Sequence, residues 1–146
     1  MHPASCILYQ SAIRNRMTCY RTAYHYQPPS GYCGDPLSFC WNGEYHIFPN
    51  HIECTRTDWN PWLHGGGDWG HIVSNDLVNW RQLPDALVTT PGGVDSDGCW
   101  SGSIVEDDGV FHILYTGLHK NTPISHPKEG TTFTQNHATS TDMIHW

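Results

Sequence analysis

No segment of this chain spaces its apolar residues at a helical period; short runs rich in aromatic and β-branched residues, broken by Gly, Asn and Asp, predict strands instead. Residues 37–41 and 44–48 flank Asn42-Gly43, a dipeptide that accepts the backbone of a two-residue hairpin. Trp69 to Ser74 predicts a third strand, Asn75-Asp76 a turn, and Trp80 the opening of a fourth. A second group runs from Cys99 through Ser103-Ile104-Val105, the Asp107-Asp108-Gly109 turn and Val110 to Tyr115, and ends in a strand from Gln135 to Thr139. Strand signals begin near Tyr24-His25-Tyr26; residues 1–23 show no period and read as a leader or poorly ordered arm. Two long connections interrupt the pattern, Asn50 to Asp68 with Trp59, Trp62 and Gly65-Gly66-Gly67, and Gly117 to about Thr134.

The two groups are copies at an offset of 66 residues. His71, Ser74, Asp76 and Trp80 recur as His137, Ser140, Asp142 and Trp146, and residues 42–48 align with 108–114 at the same offset. A hairpin, a third strand and a turn delivering a tryptophan make up one propeller blade, a four-stranded sheet that cannot bury its faces alone. The second copy stops at Trp146, where a fourth strand should begin. The expected fold is therefore all-β, a β-propeller truncated to about two blades of antiparallel sheet over residues 24–146.

Composition supports strands and loops. Only 14% of residues are charged, while the chain holds seven Trp, seven Tyr, 14 Gly and ten Pro. The net charge of -7, with the basic residues scattered, gives no sign of phosphate-backbone binding, so no nucleic acid is expected. An acidic, aromatic-rich chain suits a neutral polyhydroxyl ligand, where rings stack on sugar faces and carboxylates grip hydroxyls. No run of 18 apolar residues predicts a membrane span, and the first 21 residues lack a signal-peptide core. That leaves a cytoplasmic protein or a secreted one with its start missing. The six cysteines lack metal-site spacing and do not follow the repeat; buried free thiols are expected, or a disulfide framework if the protein is secreted. No motif calls for a metal or a cofactor.

The repeat also separates scaffold from chemistry. Residues shared by both copies read as architecture: His46, His71, His112 and His137 as packed or hydrogen-bonded strand histidines, and Asp76 and Asp142 as turn residues. Asp35 is different, because its counterpart at the offset is Ser101. It lies just before the first strand, in Gly34-Asp35-Pro36, where the innermost strands of a propeller converge on a funnel. Pro36 fixes the chain direction, and Gly34 lets a ligand approach the backbone.

Gly34-Asp35-Pro36, Tyr45–Phe48, Trp69–Trp80, Leu83–Leu87, Asp97–Ser103 and Leu114–Gly117 occur in an order that resembles the N-terminal region of glycoside hydrolase family 32. These are β-fructofuranosidases, invertases and fructan hydrolases on a five-bladed propeller. The resemblance implies a carbohydrate substrate, a retaining hydrolysis of sucrose or fructans, and Asp35 as nucleophile. It also implies sugar contacts from Trp100 and Ser101, with Asn50 standing where the family has Gln. Gly34 and Trp69 complete the candidate substrate-binding set. The family's acid/base Glu, in a later Glu-Cys motif, and its Arg-Asp-Pro motif have no counterpart here, since Glu53-Cys54 lies in the first long loop; the chain alone is expected to be inactive. The family's Asn-Asp-Pro-Asn-Gly reads Gly34-Asp35-Pro36-Leu37-Ser38 here. Two alternatives stay open: an inverting glycosidase on arabinose or xylose polymers, and a non-catalytic sugar-binding remnant with Trp59, Trp62, Trp69 and Trp100 as a stacking surface.

Overall fold

The structure, a computed structural model, describes residues 26–28, 32–52, 67–120 and 130–146. Strands β1 (Tyr32–Trp41), β2 (Glu44–Ile52), β3 (Asp68–Ser74) and β4 (Arg81–Leu87) form one sheet; β5 (Gly98–Asp107), β6 (Val110–Lys120) and β7 (Thr131–Ser140) form another. Each is an antiparallel meander with strands in sequence order, four in the first and three in the second. These are adjacent blades of a propeller-type architecture.

The repeat is visible atom by atom. Asn42 and Gly43 have φ of 51° and 80°, and Asp108 and Gly109 have 49° and 79°, the mirror-image turn whose twist suits a hairpin. After each third strand, a serine hydroxyl caps the bend. Ser74 Oγ accepts from the amides of Asp76 (3.2 Å) and Leu77 (2.8 Å), and Ser140 Oγ from those of Asp142 (3.2 Å) and Met143 (2.9 Å). The aspartates then accept from the next two amides, Val78 and Asn79 in one bend, Ile144 and His145 in the other. Donation from Asn79 chiefly holds the Asp76 carboxyl well below the usual carboxylate range, and the His145 side chain does the same for Asp142. Leu77 and Met143 consequently share a left-handed φ of 61° and 60°.

The sheets pack face to face through Phe48, Trp69, Leu87, Cys99, Phe111, Ile113, Tyr115 and Met143. Phe39 and Trp41 set their rings edge-on against Phe111, with centroids 5.9 and 5.2 Å away, and Trp146 stands edge-on to Phe48. In both copies the paired histidines bond each other at 2.9 Å, His46 Nδ1 to His71 Nε2 and His112 Nδ1 to His137 Nε2. They serve the scaffold. The first pair is buried under the second sheet, and Phe48 stacks on His71 at 4.3 Å; the second pair lies on the open face of the second sheet.

Several sequence expectations change. Strand β2 runs on to Ile52, so Asn50 lies in it rather than at the start of the first long loop. Strand β1 starts at Tyr32 rather than 37, so Asp35 lies inside it. Strand β6 runs on to Lys120 and β7 begins at Thr131, which shortens the second long connection. Thr131, Thr132 and Thr134 are polar in sequence, yet their β-branched side chains suit a pleated surface. Tyr26–Pro28 is not strand, and Tyr24 and His25 lie outside the described residues, as do residues 1–23 and most of the first long loop with Trp59 and Trp62. Among the described residues Cys33, Cys40 and Cys99 are free, but Cys40 is exposed and Cys33 only half-buried.

His71 generates a pH prediction. Burial first, then His46 and Arg81, push it down from 6.5 to about 4. Its Nδ1 is buried without a partner, so a proton added to the ring would meet no acceptor there. The folded state thus resists protonation that the unfolded chain accepts. Stability should be complete above pH 6.5 and fall as pH drops toward about 4. Urea unfolding at stepped pH should show that slope, and His71→Phe should flatten it; an unchanged slope in the variant would place the titration elsewhere.

Candidate active site

Asp35 sits in a β-bulge. Pairing of β1 with β2 steps from Gly34↔Asn50 to Leu37↔Phe48, leaving Asp35 and Pro36 unmatched. Pro36 has no N–H to lose there, and Asp35 adopts a left-handed φ of 42°, a conformation open to aspartate at modest cost. A bulge bends its strand and re-aims a side chain, and Asp35 points to solvent.

Strand β5 repeats the device. Its pairing with β6 steps from Trp100↔Thr116 to Gly102↔Tyr115, so Ser101 is the unmatched residue. Glycine is obligatory next to it, because a Cβ at Gly102 would collide with the Leu114 carbonyl. Two bulges at equivalent positions of neighbouring sheets bring their side chains together: Ser101 Oγ donates to Asp35 Oδ2 at 3.3 Å.

Three bonds hold β5 in that place. Cys99 N–H donates to Gly67 O at 2.7 Å, Asn50 Nδ2 donates to Cys99 O at 3.2 Å, and Trp69 Nε1 donates to Trp100 O at 3.0 Å. Gly67 has a φ of 119°, which a residue with a side chain rarely adopts. Among the candidate residues the structure thus joins Asp35 with Ser101, and Asn50 with Trp69 through the backbone of Cys99 and Trp100. Gly34 is opposite Asn50. Trp100 is half-buried, its ring 5.8 Å from that of exposed Phe133. Trp69 is only 2% exposed; its ring belongs to the core beneath the rim, beside Tyr115.

Asp97 accepts from Lys120 N at 2.9 Å and Ser96 Oγ at 3.1 Å, with His119 Nδ1 at 3.7 Å. Sequence reasoning missed Asp95, 4% exposed, whose Oδ2 accepts from Tyr115 Oη at 2.7 Å and faces Cys99 Sγ at 3.8 Å. Burial, reinforced by Asp95 and Asp68, pushes the Cys99 thiol up to about 12, so it remains protonated. In sequence Asp95 follows Gly92-Gly93-Val94 and reads as an ordinary turn residue. Among the described residues no His, Cys, Asp and Glu converge as a metal group, and no helix is long and apolar enough to cross a membrane.

Residues 25–146 match the Glycosyl hydrolases family 32 N-terminal domain. The chain belongs to that family. It is 42% identical over 96 residues to sucrose-6-phosphate hydrolase of Escherichia coli, covering 64% of this chain and 18% of the relative. It is 41% identical over 118 residues to fructan 1-exohydrolase of Hordeum vulgare, covering 76% of this chain and 18% of the relative. The solved sucrose-6-phosphate hydrolase from Lactobacillus gasseri superposes with a TM-score of 0.72 at 31% identity, over 99% of this chain and 27% of that one. This chain spans about a fifth of the length of the curated relatives it matches.

The bonds that fix β5 can be tested one at a time. Trp69→Phe keeps a ring in the core but removes the indole N–H bond to the Trp100 carbonyl, and should cost about 0.5–1.5 kcal/mol. Asn50→Ala, at a half-buried position, should cost about 1 kcal/mol. Urea midpoints measure both; an unmoved midpoint for Trp69→Phe would mean that packing alone holds the sheets together.

Proposed function

We propose that this chain supplies the nucleophile and part of the sugar-binding wall of a retaining glycoside hydrolase acting on fructose-containing sugars such as sucrose and fructans. The observation that carries the reading is the Ser101–Asp35 contact on paired bulges. An exposed carboxylate is ordinary; one held on a left-handed bulge residue, gripped by a serine from the next sheet, is a positioned one. With Oδ2 accepting from Ser101, Oδ1 is left to attack the anomeric carbon and form a fructosyl ester. Water then cleaves the ester and returns the carboxylate.

The leaving oxygen needs a proton from a second carboxyl roughly 5–5.5 Å away. Asp95 and Asp97 are committed to partners of their own, and Glu53 lies outside the described residues. We assign the proton donor to the part of the whole protein that corresponds to the unmatched four-fifths of its relatives. The Trp100 ring, half-buried beside Ser101, offers an apolar face to the sugar, and Gly34 leaves the approach to Asp35 open. Names of the relatives support the fructose class: a sucrose-6-phosphate hydrolase, a raffinose invertase and fructan exohydrolases. No cofactor enters this chemistry.

In the whole enzyme, Asp35→Asn should abolish nearly all turnover while sugar still binds, because an amide keeps the shape and loses the nucleophile. Retention of more than about a tenth of the wild-type rate would make Asp35 a turn residue. Ser101→Ala removes one hydrogen bond and should cost about 0.5–1.5 kcal/mol of barrier, seen as a slower kcat. Loss of binding without loss of turnover number in Asp35→Asn would favour a sugar-binding role over catalysis.

A further inference from the structure

We propose that Asp95 is a positioning residue that sets Ser101 against Asp35, acting through Tyr115 and Cys99. The inference rests on the nucleophile reading of Asp35 and adds a residue to that site. Asp95 is a buried carboxylate on which separate parts of the second sheet converge. Its Oδ2 takes the Tyr115 hydroxyl at 2.7 Å and lies 3.8 Å from Cys99 Sγ, and its Oδ1 takes the Thr90 amide at 3.3 Å. Its own carbonyl accepts from Gly98 N–H at 3.0 Å, which turns the chain into β5.

The fold makes room for this carboxylate. An added Cβ at Gly93 would sit 3.1 Å from Asp95 Oδ1, and one at Gly117 would sit 3.1 Å from Asp95 Cβ. Side chains at these positions would crowd Thr90, Asn136 and Thr134 first, and Asp95 with them. Gly117 is the strand partner of Cys99, and Tyr115 is the strand partner of Gly102. Asp95 therefore grips β6 opposite the bulge and β5 two residues before it, bracketing Ser101 from both sides. Cys99 in turn carries two of the bonds to the first sheet, through its N–H and its carbonyl. The depth of β5 at the rim, and with it the 3.3 Å contact of Ser101 with Asp35, is fixed from Asp95.

The test uses two variants and two readouts. Tyr115→Phe removes one oxygen and keeps the ring against Trp69; Asp95→Asn keeps the volume and loses the charge. In the whole enzyme, the proton–proton Overhauser contact between the Cβ hydrogens of Ser101 and Asp35 should be present, and should weaken or vanish in both variants while the folded spectrum persists. In the whole enzyme both variants should lower kcat about tenfold with KM changed less than about twofold. Ser101→Ala added to Asp95→Asn should slow it no further than the slower single variant, since both act on one contact. An intact Overhauser contact in Tyr115→Phe, or rate losses that multiply, would overturn the positioning role. The nuclear contact is read without turnover, so it reports on Asp95 whatever Asp35→Asn shows about the nucleophile.

Discussion

Everything at the rim depends on how β5 is tied to the first sheet. Two sheets with apolar faces can pack at many offsets, because burial rewards area and not register. The Cys99–Gly67, Asn50–Cys99 and Trp69–Trp100 bonds remove that freedom, since each joins a named group of one sheet to a backbone group of the other. All three involve consecutive residues just before the β5 bulge. A displacement of the strand by one residue would break them together and carry Ser101 away from Asp35. Trp69 is the pivot, because its ring fills the core while its N–H reaches the rim strand.

Local sequence and neighbourhood contribute differently to the two copies. Hairpin, serine bend and histidine pair recur in both, because each is dictated by residues close in sequence or paired in one sheet. Burial is not repeated. Phe48 is 1% exposed and its counterpart Leu114 is 46% exposed, because the second sheet covers the first through Phe111 and Trp146. That difference also explains why His71 is pushed down by burial.

The periodic part of this fold was legible in the chain. Asn42-Gly43 and Asp108-Gly109 marked their hairpins, and the shared offset separated the two sheets from the residues alone. The ends of β6 and β7 were not legible, since Thr-rich edges look polar whether paired or free. At the site, the offset match of Asp35 to Ser101 picks out two residues that the structure brings into contact, yet the sequence places Asp35 before a strand. The bulge that holds it inside β1 depends on pairing with β2, which no local pattern encodes. Asp95 was illegible for a related reason. Its meaning comes from Tyr115 and Cys99, brought to it by strand pairing, and from the space left by Gly93 and Gly117.

The central claim is that Asp35 forms a covalent bond with the sugar. The most direct measurement is peptide mass spectrometry of the whole enzyme after brief reaction with an activated fructosyl substrate and acid quench. One added fructosyl mass is expected on the peptide containing Asp35, absent in Asp35→Asn. A label on another carboxylate, or rapid turnover with no label at all and inverted product, would contradict the claim.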